Sequence, residues 1–136
     1  MITKIYKFGG ASVKDAEAVR NLAQIVSQHK NEDILLVVSA MGKTTNMLEK
    51  VLADFREHDG NLGMEALHEV IAYHDGIING LFGEDANPKF GENIAGLFIE
   101  LWEKLQKTDD PYDYQYDQTV CYISRSEERF SRNAET

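Results

Sequence analysis

Cysteine is nearly absent from this chain. Cys121 stands alone among 136 residues, so no internal disulfide can form, and a reducing cytoplasm is the expected compartment. Basic residues are scarce. Lysine and arginine total 14 against 23 aspartates and glutamates, a formal net charge of −9. Such a field repels polyanions and argues against a nucleic-acid partner, although a nucleotide needs only a few local donors. No apolar run approaches the roughly 18 residues of a membrane span, and Met1-Ile2-Thr3-Lys4 opens no signal-peptide core. A soluble cytoplasmic protein without a membrane partner is expected. What remains is 43% hydrophobic, enough for one globular domain with a real core or for one lobe of a larger domain. Composition does not separate the two.

The first forty residues read strand, helix, strand. Ile2 to Phe8 alternate loosely between apolar and polar, and Gly9-Gly10 stops that strand. Ser12 to Asp15 reads S-x-x-D, a helix-start signal. Val19, Leu22, Ala23 and Val26 then form one helical face. Ile34 to Val38 is an unbroken apolar run, the pattern of a strand buried on both faces of a parallel sheet. Such a unit belongs to α/β layer folds.

The rest reads mostly as helix. Asn46 to Glu49 resembles a capping box ahead of the stripe Met47, Leu48, Val51, Leu52 and Phe55. His58 to Asn61 breaks it. Met64, Leu67, Ile71 and Ile78 predict a third helix ending near Gly80 or Gly83. Pro88 suits the first turn of a fourth helix carrying Phe90, Ile94, Leu97, Phe98, Leu101 and Leu105, closed by Asp109-Asp110-Pro111. Tyr112 to Asp117 has no clear period. Ser124 to Thr136 is polar with Phe130 as its one large apolar residue, and it is expected to be disordered.

Two loops attract attention as chemistry. Lys7-Phe8-Gly9-Gly10-Ala11-Ser12-Val13 joins a strand to a helix. Its glycines permit positive φ and close backbone approach. They can aim N–H groups and the positive helix end at an anion such as a phosphate. Lys7, at the strand's carboxyl end, can neutralise charge on a transferring phosphoryl group. A tight turn with a solvated lysine is the plain alternative. Ser39-Ala40-Met41-Gly42-Lys43-Thr44-Thr45-Asn46 also follows a strand and opens a helix, so it falls on the same sheet edge. Its hydroxyls, Ser39, Thr44 and Thr45, can bind a small polar substrate or cap the helix.

Other motifs fail on spacing. Gly42-Lys43-Thr44 ends like a P-loop, but Val37 stands where its first glycine belongs. His68-Glu69 starts like a zinc-protease helix, but Ala72 occupies the second histidine position. His29, His58, His68 and His74 show no ligand spacing, so solvated or core roles are expected and no metal site is assigned. Asp109-Asp110 and the tyrosine-rich stretch read as loop features.

The two loops taken together resemble aspartate kinase. Lys7 to Val13 matches that family's K-F-G-G-T-S-V signature except at Ala11, and Val37-Val38-Ser39-Ala40 with Thr45-Asn46 matches its V-V-S-A-x-x-x-x-T-N block. The helical stretch from Thr44 to about Lys107 resembles the family's helical insertion, and the likeness runs from Ile2 to about Tyr122. The resemblance implies a partial three-layer αβα amino-acid kinase fold, carbamate kinase-like, with a large helical portion. It implies residues 1–122 as the N-terminal part of a catalytic domain and 123–136 as a divergent tail. The implied chemistry is transfer of the γ-phosphoryl of ATP, with Mg²⁺, to the β-carboxylate of L-aspartate. The product, 4-phospho-L-aspartate, feeds lysine, threonine and methionine synthesis. By analogy Lys7 is catalytic, Lys7, Gly9, Gly10 and Ser12 hold ATP phosphates, and Ser39 and Thr45 contact aspartate. Ala11 removes one hydroxyl from the phosphate loop but keeps its N–H.

After Tyr122 the family has Gly-Glu, whose glutamate binds the substrate amino group; this chain has Ile123 and Ser124. Without that charge and the later nucleotide lobe, a fragment inactive on its own is expected. Its incomplete sheet is expected to favour homo-oligomers. Two alternatives stand: a non-catalytic self-associating module, and another amino-acid kinase acting on glutamate, acetylglutamate or carbamate.

Overall fold

A computed structural model describes residues 4–58, 60–107 and 111–120. The readings made on Met1 to Thr3, on Asp109-Asp110 and on everything from Cys121 to Thr136 lie outside the described residues.

Strand β1 (Lys4–Phe8) and strand β2 (Ile34–Val38) pair in parallel, Lys4 opposite Ile34 and Phe8 opposite Val38. Helix α1 (Ala16–Gln28) makes the crossover between them. At the strands' starting end Lys4 Nζ lies 2.6 Å from Glu32, and Tyr6 Oη lies 3.1 Å from His29 Nε2. The Lys4 hydrogen bond, then the one from His29, holds the Glu32 carboxyl below its usual range.

Ile34 to Val38 is not buried on both faces as its sequence suggests. Leu35, Leu36, Val37 and Val38 are exposed, Val38 by 45%, and in β1 Ile5 is exposed by 68%. The physical reason is a shortage of partners. Among the described residues, two strands and one crossover helix supply too little surface to cover a sheet that the composition fits for a central position. The apolar face of α1 is likewise only half-buried at Val19, Leu22 and Val26, and Ala23 is exposed.

The core lies in the helices that follow. Helices α2 (Thr44–Glu57), α3 (Asn61–Phe82) and α4 (Pro88–Lys107) bury Leu48, Val51, Leu52, Ala66, Leu67, Val70, Phe98, Leu101, Trp102 and Leu105 against one another. Phe55 meets Trp102 edge-on at 5.3 Å between ring centres, a favoured aromatic geometry. Gly83, at φ +57°, ends α3 where the chain must turn. Phe90 stays exposed and stacks on Phe82.

Three local expectations shift. Asp15, not Ser12, starts α1: its Oδ1 accepts from Ala18 N at 2.8 Å. Helix α2 begins at Thr44, so Asn46 sits inside its first turn and caps nothing. The stretch without a period forms helix α5 (Tyr112–Val120). Its register is set by single polar contacts rather than an apolar stripe. Arg56 donates to Gln115, Tyr116 Oη donates to Glu49 at 2.5 Å, and Thr119 is fully buried.

Candidate functional site

The two loops named by the sequence leave the same end of the parallel pair. Lys7 pairs with Val37, one residue before each strand ends, and is exposed. Phe8 is buried and anchors the first loop; its carbonyl accepts from Ser39 N at 2.9 Å. That bond adds one rung beyond the strands, so the loops depart side by side.

The first loop is a short 3-10 turn, Gly10–Val13, preceded by Gly9 in extended conformation. Ser12 N donates to Gly9 O at 2.9 Å, and Val13 is buried beneath the turn. Neither Gly9 nor Gly10 uses positive φ. The two glycines differ in what they permit. A Cβ on Gly9 meets nothing within 4 Å, whereas one on Gly10 stands 2.8 Å from Gly42 O and 3.0 Å from Ala40 O. Gly10 is required because the second loop's backbone crosses directly above it.

That crossing is hydrogen-bonded. Gly42, at φ +52°, donates its N–H to Gly10 O at 3.0 Å. Thr44 turns inward, and its hydroxyl donates to Met41 O at 2.6 Å. It is buried and serves the turn, the plainer of its two readings. Thr45 and Asn46 are exposed on the first turn of α2, and Ser39 is half-buried at the root of the loop.

The positive helix end expected above the phosphate loop is partly spent, since the Asp15 carboxylate caps α1 itself. Cationic character comes from side chains instead. Lys7, Lys14 and Lys43 all lie in or next to the two loops and are exposed, within a chain of net charge −9. Among the described residues no group of three or more His, Cys, Asp or Glu side chains gathers as metal ligands.

Sequence reasoning missed Tyr73. It stands on α3, far along the chain, and its hydroxyl donates to Lys14 O beside the first loop. Its signal is tertiary, for nothing in the local pattern separates it from the other residues of the helix. Burial, and secondarily the charge of Asp15, raise its pKa above the ordinary phenol value, so it stays a donor. His74 follows it, buried, with Nδ1 2.7 Å from Val70 O. Helix α1 is held against α3 by Arg20, which donates to Gly80 O, and by the closeness of Ala16, which a Cβ on Gly80 would meet at 2.8 Å.

Among known proteins, residues 3–97 match the model of the "Amino acid kinase family". A bifunctional aspartokinase/homoserine dehydrogenase of Daucus carota is 36% identical over 102 residues, 75% of this chain and 11% of the carrot protein. Aspartokinase 2 of Arabidopsis thaliana is 45% identical over 49 residues, and an aspartokinase of Bacillus sp. (strain MGA3) is 38% identical over 65. The chain spans 9% and 16% of those two relatives.

Proposed function

Because the chain belongs to the amino acid kinase family, we propose that it carries the phosphate-facing and acceptor-facing loops of an aspartate kinase. Lys7 stabilises the γ-phosphoryl in transfer from ATP to the β-carboxylate of L-aspartate, giving 4-phospho-L-aspartate. Gly9, Gly10 and Ser12 line the phosphates, and Ser39 and Thr45 hold the aspartate. Mg²⁺ arrives with the nucleotide. The observation that carries this reading is the Gly42 N to Gly10 O bond of 3.0 Å. It locks the two loops together at the strand ends, where ligands of α/β sheets collect. Aspartate is favoured over glutamate, acetylglutamate or carbamate by the K-F-G-G-x-S-V form together with the Ser39 and Thr45 block. A cytoplasmic setting is proposed on cysteine usage; two of the plant relatives above are named as chloroplastic.

Residues 1–122 form the N-terminal part of that catalytic domain in this reading, and 123–136 diverge from it. Ile123 and Ser124 stand where the family places Gly-Glu, and a serine does not supply the charge of that glutamate. A polypeptide of these 136 residues turns over far more slowly than the roughly 1 per second usual for enzymes.

A second reading, a self-associating module that binds neither ligand, is favoured by the exposed apolar residues of β1 and β2. One experiment separates the two: calorimetry with Mg-ADP and with L-aspartate, and light scattering on the same samples. The kinase reading expects Mg-ADP heat, and heat from a non-hydrolysable Mg-ATP analogue that Lys7→Ala weakens about tenfold, the order of one charged contact. Equal analogue heats for both proteins would remove Lys7 from the site. No heat from either ligand, with a dimer in the scattering, would establish the module instead.

A further inference from the structure

The Tyr73 hydroxyl lies between two backbone segments, at Lys14 and at Gly42. It donates to Lys14 O, just beyond the first loop. The space a Cβ would take on Gly42, in the second loop, is already filled by the same hydroxyl, with the ring carbon behind it at 3.3 Å and Lys14 Cα at 3.5 Å. Gly42 in turn holds Gly10 through its N–H. One phenol on α3 therefore touches the second loop and the residue that follows the first, and the loops touch each other.

The ring is itself braced. Its neighbour His74 meets it edge-on at 5.3 Å between ring centres and lies 5.3 Å from Phe98 of α4. His74 and Phe98 are both buried in the helical core. A rigid path thus runs from the best-packed part of the molecule to the loop crossing. The sheet beneath those loops is poorly covered, so the Gly42–Gly10 and Ser39–Phe8 backbone bonds share with this side chain the task of fixing their separation.

We infer that Tyr73 is a positioning residue: its hydroxyl sets the spacing of the Gly9–Val13 and Ser39–Thr45 loops, and so the distance between the phosphoryl donor and acceptor subsites. This rests on the kinase reading for what the loops hold, but not for the clamp itself. Phosphoryl transfer gains mainly from positioning, so a hydroxyl that never touches substrate governs the reaction through geometry.

Hydrogen exchange of the intact chain by NMR tests the clamp without any ligand. Tyr73→Phe keeps the ring and its packing and removes only the donor. Exchange at the Gly42 amide is expected to rise about tenfold or more, while amides of Val51, Val70 and Leu101 in the core keep their rates. A Gly42 rate equal to wild type would overturn the proposal. So would a uniform rise across the core, which would make Tyr73 merely structural. Gly42→Ala supplies a second, opposite push. Its added methyl overlaps the hydroxyl, so it should disturb the Ser12 and Gly42 amides more in the tyrosine background than in Tyr73→Phe. Equal disturbance in both backgrounds would also refute the clamp. Calorimetry with Mg-ADP and aspartate on the same proteins reports on the kinase reading separately. Absent heats with intact exchange effects would sink that reading and leave the clamp standing.

Discussion

Truncating a valine by the same two carbons should cost very different amounts in the two halves of this molecule. Val51 in α2 is 0% exposed, and Val38 at the end of β2 is 45% exposed. Burial of a methylene contributes about 0.8 kcal/mol, so Val51→Ala loses about 1.6 kcal/mol of transfer free energy. The unfilled space left within the helical core adds to that. Alanine's better helix propensity returns about 0.5 kcal/mol. The net cost is about 2 kcal/mol. At Val38 roughly half of the transfer term applies, with no cavity and a few tenths for lost strand preference, so about 1 kcal/mol or less. Urea unfolding followed by helical circular dichroism reads the difference. With a slope of about 1.5 kcal/mol per molar, Val51→Ala moves the midpoint by roughly 1.3 M, and Val38→Ala by about half of that or less. Equal shifts at low protein concentration would refute the assignment of the core to the helices and the open state of the sheet. A Val38 cost that grows with protein concentration would mean a second copy covers the strands, because association stabilises by mass action.

Two further outcomes follow from the geometry. Gly10→Ala drives a methyl against two backbone carbonyls at 2.8 and 3.0 Å and should destabilise by about 1–3 kcal/mol, the usual cost of forced packing. Gly9→Ala, facing open space, should stay within about 0.5 kcal/mol of wild type in the same unfolding assay. Burial holds the His74 imidazole below its ordinary value of 6.5, against smaller raising effects of the Val70 carbonyl and Asp75. The unfolded state therefore binds the proton first. The stabilisation from neutral His74 is full above about pH 6.5 and is lost as pH falls through the lower folded value, by at most about 1.4 kcal/mol per pH unit. Unfolding at pH 5 to 8 should show that slope in wild type, and a flatter one in His74→Phe; parallel profiles would dismiss His74 as the group responsible.

What the sequence made legible was local. Glycine placement and hydroxyl spacing located both loops, and the 3.6-residue stripe located three of the later helices, because those signals lie within one or two turns of chain. Helix α5 escaped because its fixing contacts, Arg56 to Gln115 and Glu49 to Tyr116, span 59 and 67 residues. Gly10 was legible as a glycine that mattered, but not why. Positive φ was the local guess; the close crossing of Gly42 and Ala40 is a tertiary fact. Ser12 and Asn46 misled for the same reason in reverse: Asp15 takes the cap that Ser12 fits, and α2 starts at Thr44, ahead of Asn46, with no side-chain cap.

The exposed second strand shows where pattern and environment part. Ile34 to Val38 states in its composition what surroundings the strand is suited to, and the described residues do not provide them. The two loops hang from this weakly buried pair, and the proposed transfer chemistry needs loop positions held to a fraction of an ångström. The sheet alone cannot supply that. Beyond the Gly42–Gly10 and Ser39–Phe8 backbone bonds, the stiffness comes from α3, whose Tyr73 reaches Lys14 and whose Gly80 carbonyl holds Arg20. On this argument the large helical portion is the scaffold of the site: a well-packed core lends its rigidity, through two side-chain contacts, to loops that belong to a sheet unable to hold them.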